Sequence, residues 1–176
     1  MRTATPAIPA LVACSLVVTL SLLLAGGVVQ AQTRAAFSLK GVWTLVAAEV
    51  RHPDGSVGRD YGDAPAGRLT IDADGHYALQ IFNTARPRFA SGDRANGTPD
   101  EYRGTVMGLS THYGMLEIDP AVGALTFNIE QASYANWNGA IQRRQYELDG
   151  DQLTYRVPPR PNGDVPISIW RRVSAG

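Results

Sequence analysis

Two segments in the second half of the chain carry polar side chains at a spacing suited to binding a small molecule. Asn128 and Glu130 alternate with apolar residues, and Gln142 and Arg144 occupy alternate positions further along. Side chains two residues apart share one face of a strand. If both faces point inward, the four side chains form a polar cluster in an apolar cavity, the usual composition of a ligand site. If they point outward, Glu130 and Arg144 form a surface ion pair between strands.

Aromatic residues and one histidine extend this candidate ligand-binding set. His112 and Tyr113 follow a predicted helix, where they would overhang the mouth of a cavity. Tyr134 and Trp137 lie in and beside a polar Asn-Trp-Asn-Gly loop, and Trp137 either caps a cavity or folds back onto the protein. An imidazole can also transfer protons near neutral pH.

The chain carries no motif of metal, nucleotide or covalent chemistry. The spacing of His52, His76 and His112 matches no metal-binding motif, and the first two lie at predicted turns, where they should face solvent. No Gly-x-Ser-x-Gly elbow or phosphate-binding glycine loop occurs. The single cysteine is Cys14, so the rest of the chain offers no thiol nucleophile. We therefore predict no metal, no cofactor and no catalytic residue.

The first 31 residues have the pattern of a secretory signal peptide. Arg2 supplies a positive start, residues 11–24 form an apolar run, and Ala31 ends a small-x-small cleavage pattern. The apolar run is shorter than the roughly 20 residues of a membrane span. We expect a mature chain that begins at Gln32, is periplasmic or secreted, and has no membrane span. The alternatives are an uncleaved N-terminal anchor and a lipid attached to Cys14.

Composition limits what the mature chain can be. Removing 31 of 176 residues leaves about 145, enough for one domain and too few for two. The 16 basic and 16 acidic residues balance, and the arginines are scattered, which argues against a nucleic-acid partner. We predict a short flexible segment at 32–38 and one domain at 39–174, present as a monomer.

Short strands joined by tight turns dominate the predicted domain. Asp54-Gly55, Asp74-Gly75 and Asp149-Gly150 are each flanked by apolar alternation, which is typical of β-hairpins. The pattern predicts nine strands, at 41–50, 56–60, 67–72, 76–83, 112–119, 124–132, 141–149, 152–158 and 167–173.

One helix interrupts the strands. Thr98 and Glu101 form a capping box around Pro99, which predicts a short helix over 99–109. Residues 83–97 before it are rich in Gly, Asn, Arg and Ser and predict a loop near one end of the domain.

The first and last predicted strands carry residues that would contact each other if the two strands paired to close a barrel. Trp43 opens the first strand, and Trp170 and Arg172 share one face of the last. These strands pair in a small antiparallel barrel, so Arg172 can cover the ring of the structural residue Trp43.

These two strands, the unit at 67–77 and the segment at 136–151 together resemble the bacterial lipocalin-like domain family, over Leu39 to Val173. The resemblance implies an all-β fold, an antiparallel lipocalin-like β-barrel of about eight to nine strands with one short helix. It implies no reaction, because the biochemistry of that family is largely unassigned. Relatives often carry a histidine where this chain has Asn128.

Three functions are compatible with such a barrel. The first is an exported carrier that binds a small apolar or amphipathic molecule, with its oxygen-rich end at Arg144. The second is an enzyme of the isomerase, cyclase or dehydratase type acting on a hydrophobic substrate. The third is a barrel filled by its own side chains that binds another protein. A barrel of eight strands can be filled or can hold one ligand, so strand number does not decide among them.

Overall fold

The computed structural model describes residues 39–174. The predicted signal peptide (1–31), Cys14, the cleavage site and the segment 32–38 lie outside the described residues. The predicted fold class is confirmed, because the described chain is an antiparallel β-barrel with one short helix.

The strands follow the predicted order with small changes at their ends. The chief difference is that β5 begins at Leu109, directly after the helix, so His112 and Tyr113 lie within a strand and not in an overhanging loop. The elements of the described chain are β1 (Gly41–Arg51), β2 (Val57–Gly58), β3 (Ala66–Ile71), β4 (His76–Phe82), α1 (Pro99–Met107), β5 (Leu109–Asp119), β6 (Ala124–Ala132), a 3₁₀ turn (Ala135–Trp137), β7 (Ile141–Asp149), β8 (Gln152–Arg156) and β9 (Val165–Ser174).

The sheet closes on itself. Its strand order is β2-β1-β3-β4-β5-β6-β7-β8-β9, and β1 also pairs with β9. Eight strands therefore form the barrel, while the two-residue β2 pairs only with the end of β1. An irregularity between Leu45 and Ala47 shifts the register of β1 against β9. This bulge lets Trp43 and Leu45 point inward near the start of β1, and Ala48 and Val50 point inward near its end.

Trp43 fills the barrel at the end where β1 begins. Its side chain is fully buried, and its Nε1 donates a hydrogen bond of 2.9 Å to the carbonyl of Leu39. The guanidinium carbon of Arg172 lies 4.0 Å from the centre of the indole ring, and the two residues are paired across β1 and β9. Arg172 also donates to the carbonyl of Lys40 at 2.6 Å. This is the cation–π arrangement that the sequence predicts.

The two ends of the barrel differ in their connections. Tight turns at 72–75, 120–123 and 150–151 lie at the end filled by Trp43. Because neighbouring strands are antiparallel, the connections after β1, β4, β6 and β8 lie at the other end. We call this second end the open end.

The helix lies at the open end without covering it. Its capping box is formed as predicted: the Thr98 hydroxyl accepts from the Glu101 N–H, and the Glu101 carboxylate accepts from the Thr98 N–H. None of its residues is buried, and none lines the cavity inside the barrel. No helix within residues 39–174 is long and apolar enough to cross a membrane.

Candidate functional site

The register between β6 and β7 decides which polar residues enter the barrel. Leu125 is paired with Arg144, and Phe127 with Gln142, so these four side chains share one face. Leu125 and Phe127 are fully buried, and Arg144 is only 4% exposed. The face of β7 that carries Gln142 and Arg144 therefore lies beside the apolar face of the neighbouring β6, and both faces point into the barrel.

The other members of the predicted polar cluster lie outside. Glu130 is exposed, and the Asn128 side chain donates a 2.9 Å hydrogen bond to the exposed carboxylate of Glu117. The predicted pairing of Glu130 with Arg144 is not formed: Glu130 is exposed, Arg144 is buried inside the barrel, and none of the ion pairs among the described residues joins them. Tyr113 also points outward and is 49% exposed, because its neighbour His112 points inward.

A cavity of about 180 Å³ lies inside the open end. Its walls are mainly aliphatic and aromatic side chains, and its polar groups come from β1, β5, β7, β8, β9 and the connections at the open end. The residues that line it are Ala48, Glu49, Val50, Asp60, Tyr61, Leu79, Ile81, Ser110, His112, Trp137, Gln142, Arg144, Tyr155, Val157, Arg160, Pro166, Ile167 and Ser168.

Arg144 is the most deeply buried of the charged residues that line this cavity. Its Nη2 donates to the Gln142 side-chain oxygen at 2.7 Å. Its guanidinium carbon lies 4.2 Å from the centre of the Phe127 ring and 5.0 Å from that of Tyr155. Among the described residues no carboxylate forms an ion pair with it, and its buried Nε has no hydrogen-bond partner. Two aromatic faces and one amide oxygen thus stand in the place of a counter-ion.

His112 lies beside Arg144 and is held in one orientation. Its Nδ1 is 2.8 Å from the Tyr77 hydroxyl, and its Nε2 is 3.4 Å from Arg144 Nη2. The rings of Tyr77, Phe127 and Trp137 pack edge-on against it. A guanidinium only donates hydrogen bonds, so the contact with Nε2 requires a lone pair there and the imidazole proton on Nδ1. The Nε2 lone pair of His112 is consequently directed at the Arg144 guanidinium.

Burial controls the protonation of His112 and of Tyr77. Burial, with a smaller contribution from the Arg144 charge, lowers the pKa of His112 from 6.5 to about 3. Burial also raises the pKa of the Tyr77 hydroxyl well above its usual value. The imidazole and the phenol are therefore both neutral at pH 7.

Two buried donors in the cavity wall lack acceptors. Tyr155 is 1% exposed, and neither its hydroxyl nor Arg144 Nε has a hydrogen-bond partner. Leaving a buried polar group without a partner costs about 1–3 kcal/mol. Both atoms have almost no accessible surface, so they lie within the barrel wall and do not face the cavity.

Trp137 and Tyr134 lie at the edge of the site. Trp137 lines the cavity, and its ring contacts that of His112 edge-on, with 6.1 Å between the ring centres. Tyr134 packs edge-on against the indole at 5.6 Å but is 53% exposed and does not line the cavity. Trp137 therefore caps the cavity, while Tyr134 supports it from the solvent side.

An ion pair joins two connections at the rim of the cavity. Arg160, between β8 and β9, donates to the carboxylate of Asp60, between β2 and β3, at 2.5 Å. Tyr61, next to Asp60 in the chain, lines the cavity and packs against the core. The other two histidines lie away from the cavity wall: His52 contacts Asp164 at 2.8 Å, and His76 contacts Asp72 at 3.0 Å.

A comparison with known protein families agrees with this architecture. A family model described as a lipocalin-like domain matches residues 40–173. The chain belongs to the lipocalin-like domain family. Among solved structures it resembles the "REP1-NXSQ fatty acid transporter", at 18% identity with a TM-score of 0.37, over 78% of this chain and 97% of that one. It also resembles a mutant of the fluorescent protein UnaG, at 12% identity and a TM-score of 0.36, over 77% and 96%. No curated protein matches the chain.

Three polar residues of this lipocalin-like domain belong to the site although the sequence does not single them out. Tyr77, Ser110 and Tyr155 lie on strands and are almost fully buried. The sequence signal available for them is that a hydroxyl buried on a strand needs a partner. That requirement applies equally to tyrosines in ordinary cores, so it does not identify a site without the fold.

Proposed function

We propose that this lipocalin-like protein is an exported carrier for a small, largely apolar molecule with one anionic or oxygen-rich end. The observation that supports the proposal most directly is the guanidinium of Arg144, which lines a mainly apolar cavity and has no carboxylate partner among the described residues. A buried charge without a counter-ion is unfavourable, and a ligand carboxylate would neutralise it.

The donors around Arg144 indicate how such a ligand would be oriented. Arg144 and Tyr155 line the cavity side by side, and the guanidinium would donate to the ligand's oxygen atoms. Aliphatic side chains and Trp137 would contact its apolar body, as is usual in small-ligand sites.

The cavity volume limits how much of the ligand is enclosed. A cavity of about 150 Å³ is large enough for benzene. The space of about 180 Å³ therefore suits one ring or a short chain beside Arg144. A longer ligand would extend through the rim near Trp137 and the Asp60–Arg160 ion pair. The same empty volume weighs against the alternative of a barrel filled by its own side chains.

Titration with matched acids and esters tests the proposal. Benzoate, phenylacetate and hexanoate would be titrated into the mature protein by calorimetry, with their methyl esters as neutral counterparts. Replacing Arg144 by Met keeps an unbranched side chain in the barrel and removes the charge. A hydrogen bond to a charged group contributes about 1.5–3 kcal/mol, so Arg144→Met should weaken acid binding roughly tenfold to a hundredfold.

A neighbouring arginine provides the control. Arg143 lies on the outer face of β7, 4.0 Å from Asp119, and its side chain is more than half exposed. Arg143→Met should leave acid binding unchanged. Equal loss in both variants, or saturable binding that Arg144→Met does not alter, would contradict the assignment of Arg144.

Export is tested separately. We propose that the signal peptide is removed after Ala31 and that the protein is periplasmic or secreted and monomeric. Mass spectrometry of the mature chain should find Gln32 at its N-terminus, and light scattering should give the mass of one chain. A retained segment 1–31 or a lipid on Cys14 would contradict the proposal.

A further inference from the structure

The C-terminal end of the helix carries two apolar side chains that face solvent. Val106 and Met107 belong to the last turn of α1 and are 65% and 64% exposed. No residue of this helix is buried, so neither side chain is held in a core.

The outer face of the barrel continues this apolar surface. Ala66, Phe82 and Leu109 are paired across β3, β4 and β5 and form a row on the outside of the sheet. Val46 lies on the outer face of β1 at the position that extends the row, and it is 44% exposed. Apolar side chains that form one continuous exposed surface mark a site of contact with another molecule or a membrane.

Arg86 joins this row to the end of the helix. Its guanidinium carbon lies 4.7 Å from the centre of the Phe82 ring. Its side chain also lies against Gly108, leaving no room for a Cβ atom there, and Gly108 directly follows Met107. The apolar row and the helix end are therefore one surface, with a positive charge at their junction.

A second row, of polar residues, lies beside the apolar one on the same outer face. Arg171, Thr44 and Arg68 are paired across β9, β1 and β3. Both arginines are exposed, and neither forms an ion pair with a carboxylate of the described residues. They lie two strand spacings apart, which is roughly 10 Å, so each can contact a separate anionic group.

Acidic side chains are concentrated on the other side of the barrel. The outer faces of β5, β6 and β7 carry one arginine, Arg143, and five exposed carboxylates: Glu117, Asp119, Glu130, Glu147 and Asp149. The face that carries the apolar row is therefore basic, and the far face is acidic.

We propose that the apolar row, the end of α1 and the arginines beside them dock the protein on a bilayer that contains anionic phospholipids; we call this surface the docking face. Its aliphatic side chains would enter the boundary between headgroups and acyl chains, and its arginines would contact phosphate groups. The long stem of an arginine can lie along apolar surface while its charge stays among the headgroups. The acidic face would point away from the membrane.

The position of the helix favours a membrane over an acidic protein as the partner. Because α1 lies at the open end of the barrel, docking through it brings the mouth of the cavity close to the bilayer, where apolar molecules dissolve. This placement suits the carrier function proposed above. The docking itself does not require a ligand, so the two proposals can be tested separately.

Co-sedimentation of the mature protein with vesicles tests the proposal. Vesicles of equal parts phosphatidylglycerol and phosphatidylcholine should bind the protein, whereas vesicles of phosphatidylcholine alone should bind it at least about tenfold more weakly. Raising the salt concentration from about 0.05 M to about 0.5 M should release it, because salt screens the attraction between exposed charges.

Matched variants locate the surface. Arg68→Gln and Arg171→Gln should each weaken binding to the anionic vesicles about fivefold, whereas Arg143→Gln removes the same charge from the acidic face and should leave binding unchanged. Val106→Ser should weaken binding about tenfold, and Val122→Ser, which changes an exposed valine at the other end of the barrel, should not. All five substitutions change exposed side chains, and urea unfolding checks that each variant is folded.

Each contrary outcome is distinct. Equal weakening by Arg68→Gln and Arg143→Gln would overturn the proposal, because binding would then depend only on net charge. Absence of binding to anionic vesicles would also overturn it. If immobilised polyglutamate then retained the wild type but not Arg68→Gln, the docking face would belong to an acidic protein partner. The carrier function would stand in each case, since the titrations with acids test it without a membrane.

Discussion

Replacement of His112 should change how the stability of the protein depends on pH. The pKa of this imidazole is lowered from 6.5 to about 3 in the folded protein, chiefly by burial. The unfolded chain therefore binds a proton near pH 6.5, whereas the folded chain does not until about pH 3. Since the unfolded state holds more protons throughout this interval, the free energy of unfolding falls as the pH falls.

The size of the effect follows from the pKa difference. One pH unit inside this interval corresponds to about 1.4 kcal/mol. Lowering the pH from about 6.5 to about 5 should thus remove about 2 kcal/mol of stability through His112 alone. Several carboxyl groups also have lowered pKa values, but they titrate below this range because their ordinary pKa values are 3.8 to 4.5; they are Asp54, Asp72, Glu101 and Asp164.

Urea unfolding at several pH values between about 5 and 7.5 measures the effect. His112→Gln should be less dependent on pH than the wild type by about 2 kcal/mol over this range, whatever its stability at pH 7. His76→Gln removes an exposed imidazole and should keep the wild-type slope, because His112 remains. Parallel stability profiles for the wild type and His112→Gln would refute the reasoning, since they would show that the buried imidazole does not resist protonation.

Four further variants test the packing. Trp43→Ala should cost about 3–5 kcal/mol in urea unfolding, as for other buried large aromatics, and a loss below about 1 kcal/mol would contradict its burial. Gly114→Ala should cost about 1–3 kcal/mol, because a methyl group would collide with the Asn128 carbonyl; unchanged stability would contradict that close approach. Tyr155→Phe should be as stable as the wild type or slightly more stable by thermal unfolding, because it removes an unpartnered hydroxyl. Arg144→Met should likewise not destabilise the protein, and a loss above about 2 kcal/mol would mean that Arg144 is structural.

The strands could be predicted from the sequence because each carries its own alternating pattern. The bounds of β6 and β7 agree with those predicted, and the capping box placed the start of the helix at Pro99. Strand existence depends on local composition and turns, both of which are visible in the sequence.

The orientation of the polar faces could not be predicted, because it depends on pairing between strands. Residues 133–140 contain a 3₁₀ turn, and the Asn138 side chain accepts the N–H of Ala132 at 2.8 Å. This irregular connection sets the register that pairs Phe127 with Gln142. A shift of one residue in the pairing register would have put Asn128 and Glu130 inside instead. The sequence of either strand taken alone does not indicate which register forms.

The stability of the Arg144→Met variant decides between two roles of the buried guanidinium, stabilising the fold and binding a ligand. Its stacking on Phe127 and Tyr155 and its bond to Gln142 are favourable contacts, and if they outweigh desolvation the arginine serves the fold. Burying a charge without a counter-ion is expensive, however, and replacing such groups by apolar ones of similar size often leaves stability unchanged or raises it. An arginine that does not stabilise the protein needs another reason to occupy the cavity. A variant that unfolds like the wild type but no longer binds acids would supply that reason, because the charge would then act on the ligand and not on the barrel.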